Sequence, residues 1–499
     1  MDLLSNLGLG FSVALSLHNV FYAFIGVLLG TAIGVLPGLG PVATIAMLLP
    51  LTFALQPETA LIMLAGIFYG AQYGGSTTAI LVNLPGESSS VVTCLDGYQM
   101  ARRGRAGAAL TVAALGSFFA GTVATIIIAI FSPVLTRFAL QFGPAEYFSL
   151  MVLGLVGAVV LASGSVLKAI GMVVLGMLLG LIGIDVNSGA ERFSYGIPEL
   201  ADGVNFGVLA IGIFGLSEII SNLQATERRD IVSDRVGQLG LTREEWREAS
   251  PAVVRGTVLG SLLGILPGGG ALLSSFASYA LEKRIARDPS RFGKGAIAGV
   301  AGPESANNAG AQTSFIPMLT LGIPPNAVLA MMMGAMTIHN IQPGPQVMTS
   351  NPELFWGLVA SMWIGNLRLV VLNLPLIGLW IKLLKVPYRL LYLGILAFCC
   401  VGAYSLSNAV FDVYLVGLFA VVGFVFLRLG CEAAPLILGF ILGPLMEENL
   451  RRALLLSRGD ITILVTEPLS LLLLIVAVGL VALMLVPAFG RKREEAFSG

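Results

Sequence analysis

Charge is what this sequence lacks most. Its 499 residues carry 28 Lys and Arg against 28 Asp and Glu, 11% in all, where a soluble domain carries roughly 25%. With 56% hydrophobic residues, the chain has too little polar surface to face water all round. Apart from Asp2, no charged residue precedes Glu58. The zero net charge leaves no basic footprint for nucleic acid. Two histidines, His18 and His339, are too few for a histidine-built metal centre. The four cysteines, Cys94, Cys399, Cys400 and Cys431, show neither metal spacing nor a secreted disulfide framework. The start, MDLLSNLG, has no basic stretch before its apolar residues, so no cleaved signal peptide is expected. No G-x-x-x-x-G-K-[ST] loop, H-E-x-x-H motif or G-x-S-G element occurs. No catalytic constellation and no cofactor are therefore expected.

What the chain has is long apolar runs. Residues 107–132, 203–217 and 468–487 approach or exceed the ~20 residues that a spanning helix needs. The expected fold is an all-α polytopic membrane protein with about 12 membrane segments. Glycine is abundant, at 61 residues against an average of roughly 7%.

The charges are bunched between Glu227 and Lys294, where Glu227 to Arg255 reads as a solvated linker with a short amphipathic helix at TREEWREAS. This linker divides the chain nearly in half, and the halves repeat. GVLPGLG at 34–40 is matched by GILPGGG at 264–270, and each is followed by a hydroxyl-rich run and a proline break. Those runs are GGSTTAILVNLPGES (74–88) and NNAGAQTSFIPMLTLGIPPNA (307–327). Basic residues fall on opposite loops of the two halves. Loop 50–59 has none, whereas 282–294 has Lys283, Arg284, Arg287, Arg291 and Lys294. After the second element the first half carries Arg102, Arg103 and Arg105, while 337–353 carries none. By the positive-inside rule, equivalent loops lie on opposite sides, which predicts an inverted-topology repeat. Arg491-Lys492-Arg493 puts the C-terminus in the cytoplasm.

The apolar stretches flanking Pro267–Gly270, residues 256–266 and 271–281, are each about 16 Å of helix, short against a core of roughly 30 Å. They predict a re-entrant hairpin, with a twin at Pro37–Gly40. The expected units are a first repeat 1–221 (hairpin tip 34–40, broken helix 74–88) and a charged cytoplasmic linker 222–255. A second repeat 256–487 (tip 264–270, broken helix 304–326) and a basic cytoplasmic tail 488–499 follow. Cysteines at Ala54 and Gln346 should then label from the periplasm, and ones at Ala101 and Ala286 from the cytoplasm.

Broken helices offer free N–H groups to an anion and free carbonyls and hydroxyls to sodium. The candidate substrate and ion ligands are Pro37, Gly38 and Gly40 at one tip and Gly268, Gly269 and Gly270 at the other. With them stand Gly75, Ser76, Thr77, Thr78 and Asn83 in the first half, and Asn307, Asn308, Gln312, Thr313, Ser314 and Asn326 in the second. Replacing Asn307 or Thr77 by alanine should abolish uptake. Small polar residues also let helices pack closely, and for any single hydroxyl that reading competes evenly. Glu304 reads equally as a coupling or a helix-capping carboxylate. Arg368 reads as an anion partner or, preferably, as a snorkelling or scaffold residue paired with Asp412 or Glu432. His339 reads as a loop contact, Met331–Met333 as core packing, and Arg102, Arg103 and Arg105 as topology determinants.

The series GVLPGLGPVATIAMLLPLTF, YGAQYGGSTTAILVNLPGESSSVVTCLDGYQMARRGRAG, GILPGGG and GPESANNAGAQTSFIPMLTLGIPPNAVLAMMMGAM, with the late GNLRLVVLNLPL, resembles the large membrane subunit of tripartite tricarboxylate transporters, the TctA family. The resemblance covers essentially the whole chain. It implies a bacterial inner-membrane permease importing citrate or related carboxylates, driven by an ion gradient, commonly Na+, with H+ as the alternative. It implies two partners: a small four-helix membrane subunit (TctB-like) and a periplasmic solute-binding protein (TctC-like). The mechanism resembles that of elevator-type anion transporters, with the binding protein expected on loops 50–59, 186–202 and 337–353. A stand-alone carboxylate/sodium symporter and a non-transporting membrane scaffold are the rival readings. The cargo, the ion stoichiometry and the oligomeric state are not encoded in any motif.

Overall fold

The computed structural model describes residues 3–36, 40–162, 165–185, 188–224, 239–266, 270–384 and 388–485, which are helical almost throughout. Among the described residues, six helices are long and apolar enough to cross a membrane: Leu17–Val35, Ala106–Ala139, Phe206–Leu223, Pro352–Asn373, Val410–Arg428 and Ala433–Leu456. Six further apolar helices are shorter. The hairpin tips at 37–39 and 267–269, linker residues 225–238 and the tail from 486 lie outside the described residues.

Near the N-terminus the chain goes out along Leu17–Val35 and restarts at Pro41–Thr52, with Gly40 capping and Pro41 in the first turn, where proline's missing N–H costs nothing. A helix that forms the centre of the molecule, Pro57–Val82, follows. Its Thr59 hydroxyl donates to Asn19 Oδ1 at 2.5 Å, so its start lies beside the start of the outward arm. The two then run in the same direction. Gly26, Gly30 and Gly34 pack on Met63, Ile67 and Ala71, and a Cβ at any of the three would fall on a backbone carbonyl. Glycine at every fourth position gives a flat stripe that lets backbones meet. Much of the glycine excess is spent this way.

The second half repeats the arrangement. Arg243–Gly264 goes out, Gly270–Ile285 comes back, and a second central helix, Ala298–Thr313, follows. Gly256, Gly260 and Gly264 pack on Gly302, Ala306 and Gly310. Arg255 Nε and Nη2 grip the Glu282 carboxylate at 2.8 and 2.6 Å, joining the open ends of the two arms. The two central helices cross in opposite directions, because Ser76 meets Glu304 while Tyr69 meets Phe315.

Contacts sort the loops into two ends of the molecule. Phe53 stacks on His339 at 6.4 Å, which joins loop 50–59 to 337–353. Burial pulls the His339 imidazole below its ordinary pKa, against the opposing Thr52 carbonyl and Glu58. The ring serves as a loop contact. At the other end Arg105 pairs with Glu245, and Arg291 with Glu248 at 3.2 Å. Burial raises the Glu245 pKa, but the Thr242 N–H and the Arg105 guanidinium outweigh it and leave the carboxyl below its usual value.

Two expectations need correction. The arms of the second hairpin are longer than eleven residues, because TREEWREAS is no separate linker helix but the capped start of Arg243–Gly264, continuing through Pro251. The GGSTT run precedes the break expected within 74–88. It lies in a continuous helix whose break comes at Asn83, in the left-handed region at φ 59°, because packing on all sides overrides the glycine pair's weak helix propensity. Ala101 is 2% exposed and cannot report sidedness, so exposed Arg103 replaces it. Cysteines at Ala54 and Gln346 are expected to react with an impermeant maleimide added outside cells, and Arg103→Cys and Ala286→Cys only after permeabilisation. Labelling of Ala54→Cys and Arg103→Cys from one side would refute the opposed loops.

Candidate functional site

The first central helix is buried from Thr59 to Val82. After its break at Asn83, Leu84-Pro85-Gly86 folds back so tightly that a Cβ at Gly86 would strike the Gly34 carbonyl and Gly75 Cα; only glycine fits there. This turn lays Glu87 against Gly75, where an added Cβ would stand 3.1 Å from Glu87 Cγ. The following turns contain a π-bulge at Cys94–Tyr98, a local widening that is frequent at functional sites. They bring Thr93 and Asp96 inward.

The second central helix is wholly buried. Its Glu304 accepts from Ser76 Oγ at 2.6 Å on one carboxylate oxygen and from Thr93 Oγ1 on the other. One turn on, Asn307 Nδ2 donates to Glu87 Oε1 at 3.2 Å, and that oxygen also accepts from Ser89 Oγ at 2.5 Å. Asn308 donates to Ser117 Oγ at 2.7 Å. A cavity of ≈ 10 Å³ lies between Tyr73, Ser76, Thr77, Ser117 and Glu304, room for about one water-sized particle. Two turns further, Gln312 Oε1 accepts from Thr125 at 2.7 Å, and Asn366 stands beside it over Gly121.

Several of these polar groups are buried with hydrogen-bonding capacity unspent. Both amide atoms of Gln72 and of Asn366, Gln312 Nε2, Asn307 Oδ1 and the Tyr69 and Tyr73 hydroxyls have no partner. An unsatisfied buried group costs about 1–3 kcal/mol.

The sequence candidates divide. Ser76, Asn307, Asn308, Gln312 and Gly75 come together at this crossing, and Thr77 lines its cavity although its hydroxyl turns back to the Tyr73 carbonyl at 3.2 Å. Thr78 and Ser314 do matched structural work. Thr78 donates to the Val35 carbonyl at 2.8 Å and Ser314 to the Gly264 carbonyl at 2.8 Å, each holding the end of an outward arm. Thr313 bonds its own helix at Ala309 O, and Asn326 caps Ala327–Ile338 through Leu329 N–H. Asn83 is matched by Gly322, both left-handed helix ends. Gly40 and Gly270 begin the return arms, while Pro37, Gly38, Gly268 and Gly269 lie outside the described residues.

Glu304 caps no helix, since it lies two turns inside one and reaches across to Ser76 and Thr93. Arg368 meets neither Asp412 nor Glu432 but donates to the Val20 carbonyl at 2.7 Å. Met331–Met333 are core. Thr93, Ser117 and Asn366 were not singled out by sequence reasoning, and Glu87 entered only as the end of the Gly74–Glu87 element. Only Glu87 carried a signal, as the residue after a proline–glycine break. Among the described residues no group of three His, Cys, Asp or Glu is placed to hold a metal ion.

Residues 20–438 match the model of the family described as tripartite tricarboxylate transporter TctA family. The chain is 58% identical over 497 residues to an Agrobacterium vitis protein named as an uncharacterized 52.8 kDa protein in the TAR-I ttuC' 3' region, covering 100% of this chain and 99% of that one. A second A. vitis protein, named for the TAR-II ttuC' 3' region, is 58% identical over 238 residues, 48% of this chain and 98% of its own length. No solved structure matches.

Proposed function

Because the chain belongs to the tripartite tricarboxylate transporter TctA family, we propose that it is the large permease subunit of a binding-protein-dependent importer of citrate or related di- and tricarboxylates. It works in the bacterial inner membrane and is driven by an ion gradient, with a small four-helix subunit and a periplasmic binding protein as its partners. The observation that carries this reading is the set of buried amides and hydroxyls with unspent hydrogen bonds where the central helices of the two halves cross. Amide N–H and hydroxyl groups can replace the hydration of a carboxylate without a permanent cation to trap it.

The two hairpin-and-central-helix units form an inverted pair, and they move as one body against the remaining spans in an elevator-like cycle. The opposed central helices, the matched Thr78 and Ser314 contacts and the matched breaks at Asn83 and Gly322 support that symmetry. The binding protein docks on the end carrying loops 50–59, 186–202 and 337–353. There a cavity of ≈ 190 Å³ opens between Gly322, Gln342, Gln346, Asn449 and Arg452.

The test is uptake by proteoliposomes holding this chain, the small subunit and the cognate binding protein. Radiolabelled citrate and other di- and tricarboxylates are offered under a sodium and then a proton gradient. Accumulation that needs all three proteins is expected. Accumulation by this chain alone would overturn the tripartite reading, and no movement of any carboxylate under either gradient would overturn the transport reading.

A further inference from the structure

We propose that Glu304 is the seat of the coupling ion: one monovalent cation, a proton or a sodium ion, is held between its carboxylate and the oxygens of the small cavity formed with Tyr73, Ser76 and Ser117. The inference rests on the transport reading above and names the ion site within it.

The first argument is charge balance. Glu304 is 1% exposed, and among the described residues no Lys, Arg or His pairs with it or with Glu87. The charged and titratable groups on the surrounding elements are accounted for. Tyr73 faces it from the first central helix, Glu87 from the turn beyond the break, and Cys94 from the bulged segment. Asp96 is occupied by the Gly295 and Ala296 N–H groups and the Tyr279 hydroxyl. On the second hairpin Arg255 is fully engaged by Glu282. The long helix Ala106–Ala139 presents Ser117 at this level and no ionisable group. The carboxylate thus has two hydroxyl donors and no counter-charge. A buried charge left that way is strongly unfavourable, so the closed site requires one positive charge.

The second argument is the space. The cavity beside Glu304 admits about one water-sized particle. Tyr73, 4% exposed, lines it, and its hydroxyl has no hydrogen-bond partner among the described residues. Ser76, Thr77, Ser117, Asn373 and Glu304 complete its polar lining, beside Leu110, Ala113 and Ala114. The third argument is position. Glu304 draws its hydroxyl partners from the first half, through Ser76 and Thr93, and its neighbour Asn307 holds Glu87. Two carboxylates at the crossing repel an anionic substrate, and a cation on Glu304 relieves that repulsion. Cation and carboxylate therefore favour each other's binding, which is the energetic content of coupling.

The test compares the wild-type chain, Glu304→Gln and Glu304→Asp, each purified with the small subunit. Melting is followed in sodium chloride against choline chloride at equal ionic strength, and at acid against alkaline pH. Ligand that binds only the folded state raises Tm. A sodium site predicts a rise of about 3–6 °C with sodium in the wild type, and a proton site a similar rise on acidification. Glutamine, which mimics the neutral acid, should lose that response. Aspartate should keep it, with half-saturation displaced by about tenfold if its shorter reach weakens binding by about 1.4 kcal/mol. In proteoliposomes with the binding protein, Glu304→Gln should lose gradient-driven citrate accumulation. A wild type that responds to neither cation, a glutamine variant that responds as the wild type does, or one that accumulates citrate normally would each overturn the proposal. If the cation response maps to Glu304 but the wild type moves no carboxylate, the ion site stands and the transport reading falls.

Discussion

Gly260→Leu is expected to leave no folded protein to assay. A Cβ at Gly260 would stand 2.3 Å from the Ala306 carbonyl oxygen, and that neighbour is helix backbone, which cannot rotate aside as a side chain can. Overpacking typically costs about 1–3 kcal/mol where neighbours can adjust. Here the whole outward arm must lift from the second central helix, taking with it the Ser314–Gly264 contact. Proteins hold only about 5–15 kcal/mol in reserve. In detergent the variant should lose its monodisperse peak on size-exclusion chromatography. Gly417→Leu is the control, since nothing lies within 4 Å of a Cβ there, and it should run as the wild type does. A Gly260→Leu protein that elutes and melts like the control would refute the backbone contact.

Asn307→Ala is expected to lower uptake by about a hundredfold while leaving expression and assembly with the small subunit intact. The amide donates to Glu87 at 3.2 Å and leaves Oδ1 free inside the site. A hydrogen bond to a charged group contributes about 1.5–3 kcal/mol, and each 1.36 kcal/mol is about tenfold in rate. Thr77→Ala should do less, because the Thr77 hydroxyl is spent on its own helix. Initial uptake rates at matched protein levels decide the order. Equal losses in the two variants would show that Thr77 leaves its helical bond during the cycle.

The paired LPG elements, the paired breaks and the opposed basic loops could all be read along the chain, because each is a local feature that repeats. Gly34 and Gly264 occupy equivalent places in the sequence and in space. The glycine ladders at 26, 30, 34 and 256, 260, 264 were equally legible, as residues four apart on one helix face, yet a glycine count alone does not reveal them. Two things were hidden. Helix continuity through Gly74 and Gly75 depends on neighbours that enclose the segment, which no local propensity encodes. The tie of Glu304 to Ser76 and Thr93 joins residues more than 200 positions apart, and no spacing rule reaches that far. What marks Glu304 is burial without a counter-charge, and burial is a property of the fold.

The outward arms of the two halves are tied to their neighbours by different chemistry, Arg255 to the return arm at Glu282 and Asn19 to the central helix at Thr59. Arg255 and Glu282 form an ionic clasp with its arginine 39% exposed, whereas Asn19 and Thr59 form a neutral one. Mobile ions weaken an exposed ionic contact and leave a neutral one nearly untouched. The ionic clasp lies towards the end of the molecule that carries loop 282–294, and the neutral clasp towards the end that carries loop 50–59. The contact of Asn19 with Thr59 should then keep its strength whatever the salt around it.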